Sequence, residues 1–117
     1  MHCQLRSPER TFYDGEAVSV TARSARGEFA VFAHHAPLLA ELAPGLLRIR
    51  TTAEELRFAC FGGTLSVAEN RVVILGSEIA SRDDIDLAEE RRRAGTAPTE
   101  SARSRLELLE KVARRDE

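Results

Sequence analysis

His34 and His35, with Glu28 upstream of them, are the side chains whose types could hold a metal or move a proton. Neighbouring side chains on an extended strand point to opposite faces, so the two rings converge on one ion only from an irregular loop, and no third ligand stands at a metal-binding spacing. The metal reading is therefore set aside. A Ser/His/Asp hydrolase would need a Gly-x-Ser-x-Gly elbow, which the chain lacks. Gly62-Gly63 could cradle a phosphate, but no helical pattern follows it to supply free amides. It reads instead as a two-residue hairpin turn, where positive φ is required. Cys3 and Cys60 are too few for a disulfide framework and read as small buried hydrophobes, Cys60 sharing a strand face with Leu56 and Phe58. The sharpest charge cluster is Arg91-Arg92-Arg93, directly after Glu89-Glu90. It serves either as a solvated helix end whose cations complement the helix dipole, or as a basic patch for an acidic partner. Neither histidines, cysteines nor arginines form an enzymatic constellation.

The elements that carry these residues follow from composition and period. A chain of 117 residues closes one core with an appendage, and 43% hydrophobic with 31% charged residues points to a soluble globular chain. A net charge of −2 and 5% aromatic residues give no footprint for nucleic acid. There is no apolar run long enough for a membrane span, nor a signal peptide at Met1–Arg6, so the chain is expected to stay in the cytoplasm.

Up to about residue 80, short apolar runs recur between turn residues, the pattern of a β-sandwich or barrel. The expected strands are Cys3–Arg6, Glu16–Ala22, Glu28–Phe32, Leu46–Thr51, Leu56–Phe61, Thr64–Ala68, Arg71–Leu75 and Glu78–Ala80. In the second of these, Val18 and Val20 are expected to face the core together. Tyr13-Asp14-Gly15 reads as a tight connection, Pro44-Gly45 as a turn and Glu69-Asn70 as a second hairpin.

After Ala80 the period changes. Ser81-Arg82-Asp83-Asp84 has the form of a capping box, the run through Ala94 is helix-forming, and Gly95 ends it. A second helix repeats Ala102, Leu106, Leu109 and Ala113, widened by Leu108 and Val112, with Glu107–Lys111 and Glu110–Arg114 pairs on its surface. Helices this short are marginal alone, so the hairpin must lean on something else. Physical reasoning thus yields a β-sandwich with a helical hairpin, built for binding, and leaves the partner open. A free-standing ligand-binding sandwich or an unrelated enzyme remains the alternative.

Gly27-Glu28-Phe29-Ala30-Val31-Phe32-Ala33-His34-His35-Ala36-Pro37-Leu38-Leu39 resembles the signature loop of the epsilon subunit of rotary, F-type ATP synthases, which typically reads Gly-Glu-Leu-Gly-Ile-x-Pro-Gly-His-Ala-Pro-Leu-Leu. Pro44–Ile49, Gly62–Val67, Arg71–Leu75 and Asp84-Ile85-Asp86 are similar to later family segments, in the same order and spacing. The resemblance implies a mixed, mainly β fold: an antiparallel β-sandwich of about ten strands over residues 1–82, followed by a regulatory helical hairpin over 83–117. It implies a non-catalytic subunit without cofactor or metal. The sandwich would dock on the gamma subunit and the c ring, and the hairpin would transiently reach the alpha and beta catalytic subunits and inhibit ATP hydrolysis. It places the chain on the cytoplasmic face of a bacterial inner membrane, associated with that membrane only through the complex. Carried over residue by residue, Glu28 and His35 face the c ring. Arg91, Arg92, Arg93, Arg103 and Arg105 are the cations that would meet acidic residues of the catalytic subunits.

Two departures from the family pattern stand out. Ala30 replaces a usual Gly, and Ala33-His34 replaces a usual Pro-Gly, leaving the loop with less conformational freedom. Some bacterial members bind ATP through Ile/Leu-Asp-x-x-Arg-Ala, where this chain has Ile85, Asp86, Leu87, Ala88, Glu89 and Glu90. Carboxylates repel a triphosphate, so little ATP affinity is expected.

Overall fold

Ten strands carry the first 81 residues, in the order β1 (His2–Arg6), β2 (Thr11–Glu16), β3 (Ser19–Ser24), β4 (Gly27–Phe32), β5 (Leu38–Leu42), β6 (Gly45–Arg50), β7 (Glu55–Cys60), β8 (Gly63–Ala68), β9 (Arg71–Gly76) and β10 (Ile79–Ser81). The computed structural model describes residues 1–81 and 107–112; the latter form a helical segment, α1. The strands pair as β10-β7-β6-β3-β5-β8-β9-β1-β2, with β4 on β3. β5 turns this path into two layers, since it pairs with β8 along its whole length but with β3 only at Ser24–Leu42.

Alternation explains the core. Val20 and Ala22 of β3, Leu47 and Ile49 of β6, Leu65 and Val67 of β8, and Val72 and Ile74 of β9 are buried between the layers. Their strand neighbours mostly face outward. β7 departs from the period, with Phe58, Ala59 and Cys60 buried in succession. Phe58 and Cys60 belong to the inter-layer core, while Ala59 faces the other way and is covered by Leu108, Leu109 and Val112 of α1. Leu46, Phe61 and Ala80 complete that second cluster. The small side chains at 59 and 80 let the helix approach the sheet closely.

Eight of the ten strands follow the expected pattern, with several corrections. Tyr13-Asp14-Gly15 is no turn but the middle of β2, with Gly15 opposite Cys3. The Tyr13 ring folds over Gly15, and its hydroxyl donates to the Glu16 carbonyl, so an edge-strand glycine is shielded by an aromatic neighbour. β5 was hidden because Leu39, an apolar residue, occupies an outward position and masks the alternation. Val18 does not join Val20: its amide donates to Arg50 O just before β3 begins, and its side chain is exposed. Gly62-Gly63 has the expected positive φ, 95° and 135°, but β7 and β8 do not pair. The glycines make a corner between layers. Glu69-Asn70 does form the two-residue turn of the β8–β9 hairpin, with φ of 51° and 60°, the left-handed pair that a type I′ turn requires. One pairing is parallel, β1 with β9; the other ladders are antiparallel.

Both cysteines are buried in the inter-layer core. Burial pushes the Cys3 thiol up to about 12, helped by the negative charge of Asp14, and the Cys60 thiol up to about 11. Both values lie above the ordinary 9.0, so as pH rises past 9 the unfolded chain releases protons that the native chain retains, and stability falls. Ellman's reagent at pH 8 is expected to label neither thiol in the native protein and both after denaturation. Rapid native labelling of either would show that its strand opens locally.

Candidate functional site

The loop between β4 and β5 is built on a turn. The His35 amide donates to Phe32 O at 3.2 Å, and His34 takes φ of 62° at the third turn position. That position of a type II turn favours glycine. Histidine is among the few other residues found there with some frequency. The His34 amide donates to Asn70 Oδ1, 2.8 Å away on the β8–β9 turn. His35 Nδ1 lies 2.6 Å from Ala36 O, and both histidines are exposed. Beside the loop, Phe32 and Leu39 are 59% and 77% exposed, an unusual placement for large apolar side chains.

Glu28 stands elsewhere. It lies near the start of β4, opposite Arg23, and its Oε1 accepts from Arg48 Nη2 at 2.9 Å. Four residues of strand, roughly 13 Å of extended chain, separate it from Phe32 at the loop. Glu28 and His35 therefore do not form one cluster; they mark the two ends of β4. Among the described residues no three His, Cys, Asp or Glu side chains come together as a metal site would require. Ile85, Asp86, Glu89, Glu90, Arg91, Arg92, Arg93, Arg103 and Arg105 lie outside the described residues, as does the capping box beyond Ser81.

The outer faces of the two layers differ in chemistry. On the β6–β7 face Arg48 lies directly opposite Arg57, and Glu28 and Glu55 offset the repulsion through pairs of 2.9 and 3.3 Å. Both pairs are partly exposed, so each is worth under about 1 kcal/mol. Further along, the same face turns apolar and receives α1. On the other layer, Leu39, Ser66, Val73 and Gln4 form an outward row across β5, β8, β9 and β1, with Leu75 half-exposed nearby. Phe32, Leu39 and Leu75 were not singled out in the sequence. Their signal was an apolar residue on the solvent side of an alternating strand.

The family model for the ATP synthase delta/epsilon chain β-sandwich domain matches residues 1–82. The chain is 37% identical to the ATP synthase epsilon chain of Laribacter hongkongensis over 87% of its own length and 76% of that protein's. It is 33% identical to the chloroplastic epsilon chain of Tetradesmus obliquus, covering all of this chain and 82% of the other. Among solved structures, a chain of the Euglena gracilis mitochondrial ATP synthase, in an OSCP/F1/c-ring assembly, superposes with a TM-score of 0.67 at 27% identity, covering 92% of this chain and 72% of the other. A Tetrahymena thermophila mitochondrial ATP synthase chain shares the fold with a TM-score of 0.67 at 22% identity, over 94% and 93%. By its sandwich, its strand order and these matches, the chain belongs to the epsilon-chain family of F-type ATP synthases.

Proposed function

We propose that this chain is a non-catalytic central-stalk subunit that couples rotation of the c ring to the catalytic head and weakly restrains ATP hydrolysis through its tail. The observation that carries this reading is the unequal treatment of the two sheet faces. One face is closed by α1, whereas the other, among the described residues, leaves Leu39, Val73 and Leu75 outward on two neighbouring rows, with Glu41, Arg6 and Asp14 around them. An exposed apolar face of this kind suits a protein partner, and we assign it to the gamma subunit. The end of the sandwich bearing the 33–37 loop is assigned to the c ring, with His35 and Phe32 in contact and Glu28 at the far end of β4. The Euglena relative comes from an assembly that includes a c ring, which supports a place for this chain within the ATP synthase complex.

The remaining assignments follow the family resemblance. Residues 83–117 act as the regulatory unit. Arg91, Arg92, Arg93, Arg103 and Arg105 meet acidic residues of the alpha and beta subunits, where a partly buried pair can be worth a few kcal/mol when one partner is removed. ATP binds poorly, because Glu89 and Glu90 stand where a cation and a small residue serve in the binding motif. The working place is the cytoplasmic face of a bacterial inner membrane, reached through the complex.

The test is pull-down with gamma, followed by deletion of residues 95–117 in the assembled enzyme. The chain should copurify with gamma in equal amounts. The deletion should leave proton-coupled synthesis near normal and raise hydrolysis modestly. A monomer indifferent to gamma would overturn the reading altogether. Unchanged hydrolysis would remove the inhibitory role, and lost pumping would move coupling from the sandwich to the tail.

A further inference from the structure

Among the described residues only three that are not glycine take positive φ: His34, Glu69 and Asn70. Two of them touch. The His34 amide donates to Asn70 Oδ1 at 2.8 Å across 36 positions of sequence, and the Asn70 carbonyl accepts from the His2 amide at 3.2 Å. One asparagine thus joins three backbone segments: the β4–β5 loop, the β8–β9 turn and the start of β1. From this geometry we infer that Asn70 is a positioning residue, which holds the 33–37 loop in the conformation it uses to dock.

The inference rests on the reading that this loop is a docking element. A turn closed by the single His35–Phe32 bond would leave the His34 amide to solvent. Asn70 takes up that donor. Asparagine suits the task twice, since it tolerates the left-handed backbone of a type I′ turn and carries a short carbonyl that reaches a neighbouring amide. The left-handed conformation at residue 70 aims the carboxamide at the loop, so the hairpin's own turn geometry sets the loop's position. Phe32 and Leu39, the two most exposed large apolar side chains among the described residues, flank the segment that is held. A docking loop fixed before contact loses less freedom on binding.

The test compares Asn70→Gly with Asn70→Asp in the full chain. Glycine keeps the type I′ turn and deletes the acceptor; aspartate keeps an acceptor oxygen and tolerates the backbone. Three quantities are measured: solvent exchange of the His34 amide by NMR, the urea midpoint, and the concentration that half-restores coupled proton pumping to membranes stripped of this subunit. For Asn70→Gly, His34 exchange should rise about threefold to tenfold and the urea midpoint should fall only slightly, as expected for loss of one hydrogen bond in a sandwich that stays folded. Half-restoration should require about threefold to tenfold more protein, and Asn70→Asp should restore both values. Unchanged His34 exchange in Asn70→Gly, or an Asn70→Asp variant that behaves like glycine, would overturn the positioning role. Faster exchange with undiminished reconstitution would confirm the positioning and instead overturn the docking assignment of the loop.

Discussion

Gly63→Ala is expected to destabilise the protein by about 3–5 kcal/mol, a large part of the roughly 5–15 kcal/mol that holds a domain of this size together. Two effects add. At φ of 135° an L side chain is strained, which costs on the order of 1–3 kcal/mol. The new Cβ would also lie 2.1 Å from Leu75 O and 2.8 Å from Gly76 Cα, backbone atoms that cannot swing aside as a flexible side chain would. β9 would have to move, and with it the ladder that pairs Gly63 with Gly76 and Thr64 with Leu75. Gly62→Ala separates the two effects: its φ is 95°, but its nearest neighbour, Leu42 O, lies at an ordinary 3.8 Å. It should show the conformational cost alone. Urea midpoints of the two variants decide the matter, and equal losses would mean that the contact with Leu75 plays no part.

Ala59→Glu is expected to detach α1 while leaving the sandwich folded. The methyl of Ala59 is fully buried under Leu108, Leu109 and Val112, and a carboxylate there would be buried without a partner, at several kcal/mol. Release of the helix returns that carboxylate to water, because Ala59 points away from the inter-layer core. The helix has little to resist with. Burying its three apolar side chains gains about 6 kcal/mol, and ordering the segment costs a comparable amount. NMR exchange of the amides over 107–112 should rise to the rate of an unstructured peptide, with the amides of Leu65, Val72 and Ile74 still protected. Retained protection over 107–112 would show that the helix tolerates the charge. Loss of protection everywhere would show that sandwich and helix form one cooperative unit.

Residues on strands with one wet face were legible in the sequence, because alternation is a local signal. Val20 and Ala22, Leu65 and Val67, and Val72 and Ile74 announce themselves in this way. β5 escaped because Leu39 is apolar on its solvent side, and β2 escaped because an Asp-Gly pair usually marks a turn, whereas here the Tyr13 ring shelters the glycine within a strand. The positive φ of Gly62-Gly63 was foreseeable, but its purpose was not: the approach of Leu75 O depends on how the layers stack. The helical stripe was visible through Leu109 and Val112, while its landing place on Ala59 and Ala80 needed the strand order β6-β7-β10. At the candidate site, resemblance to the family singled out Glu28 and His35. It could not show that they stand at opposite ends of β4, nor that a carboxamide 36 residues away grips the loop between β4 and β5.

The parallel placement of β1 between β2 and β9 has a consequence for biosynthesis. As the chain leaves the ribosome, β1 can pair only with β2, and its other edge stays open until β9 has emerged, most of the sandwich later. Buried Cys3 and Leu5 meet Val72 and Ile74 only then. Contacts between segments this distant close slowly, and an open apolar strand edge is where nascent chains pair with the wrong neighbour. Ribosome-bound chains ending before Arg71 would therefore be chaperone clients, and release from chaperones would coincide with the arrival of the β8–β9 hairpin.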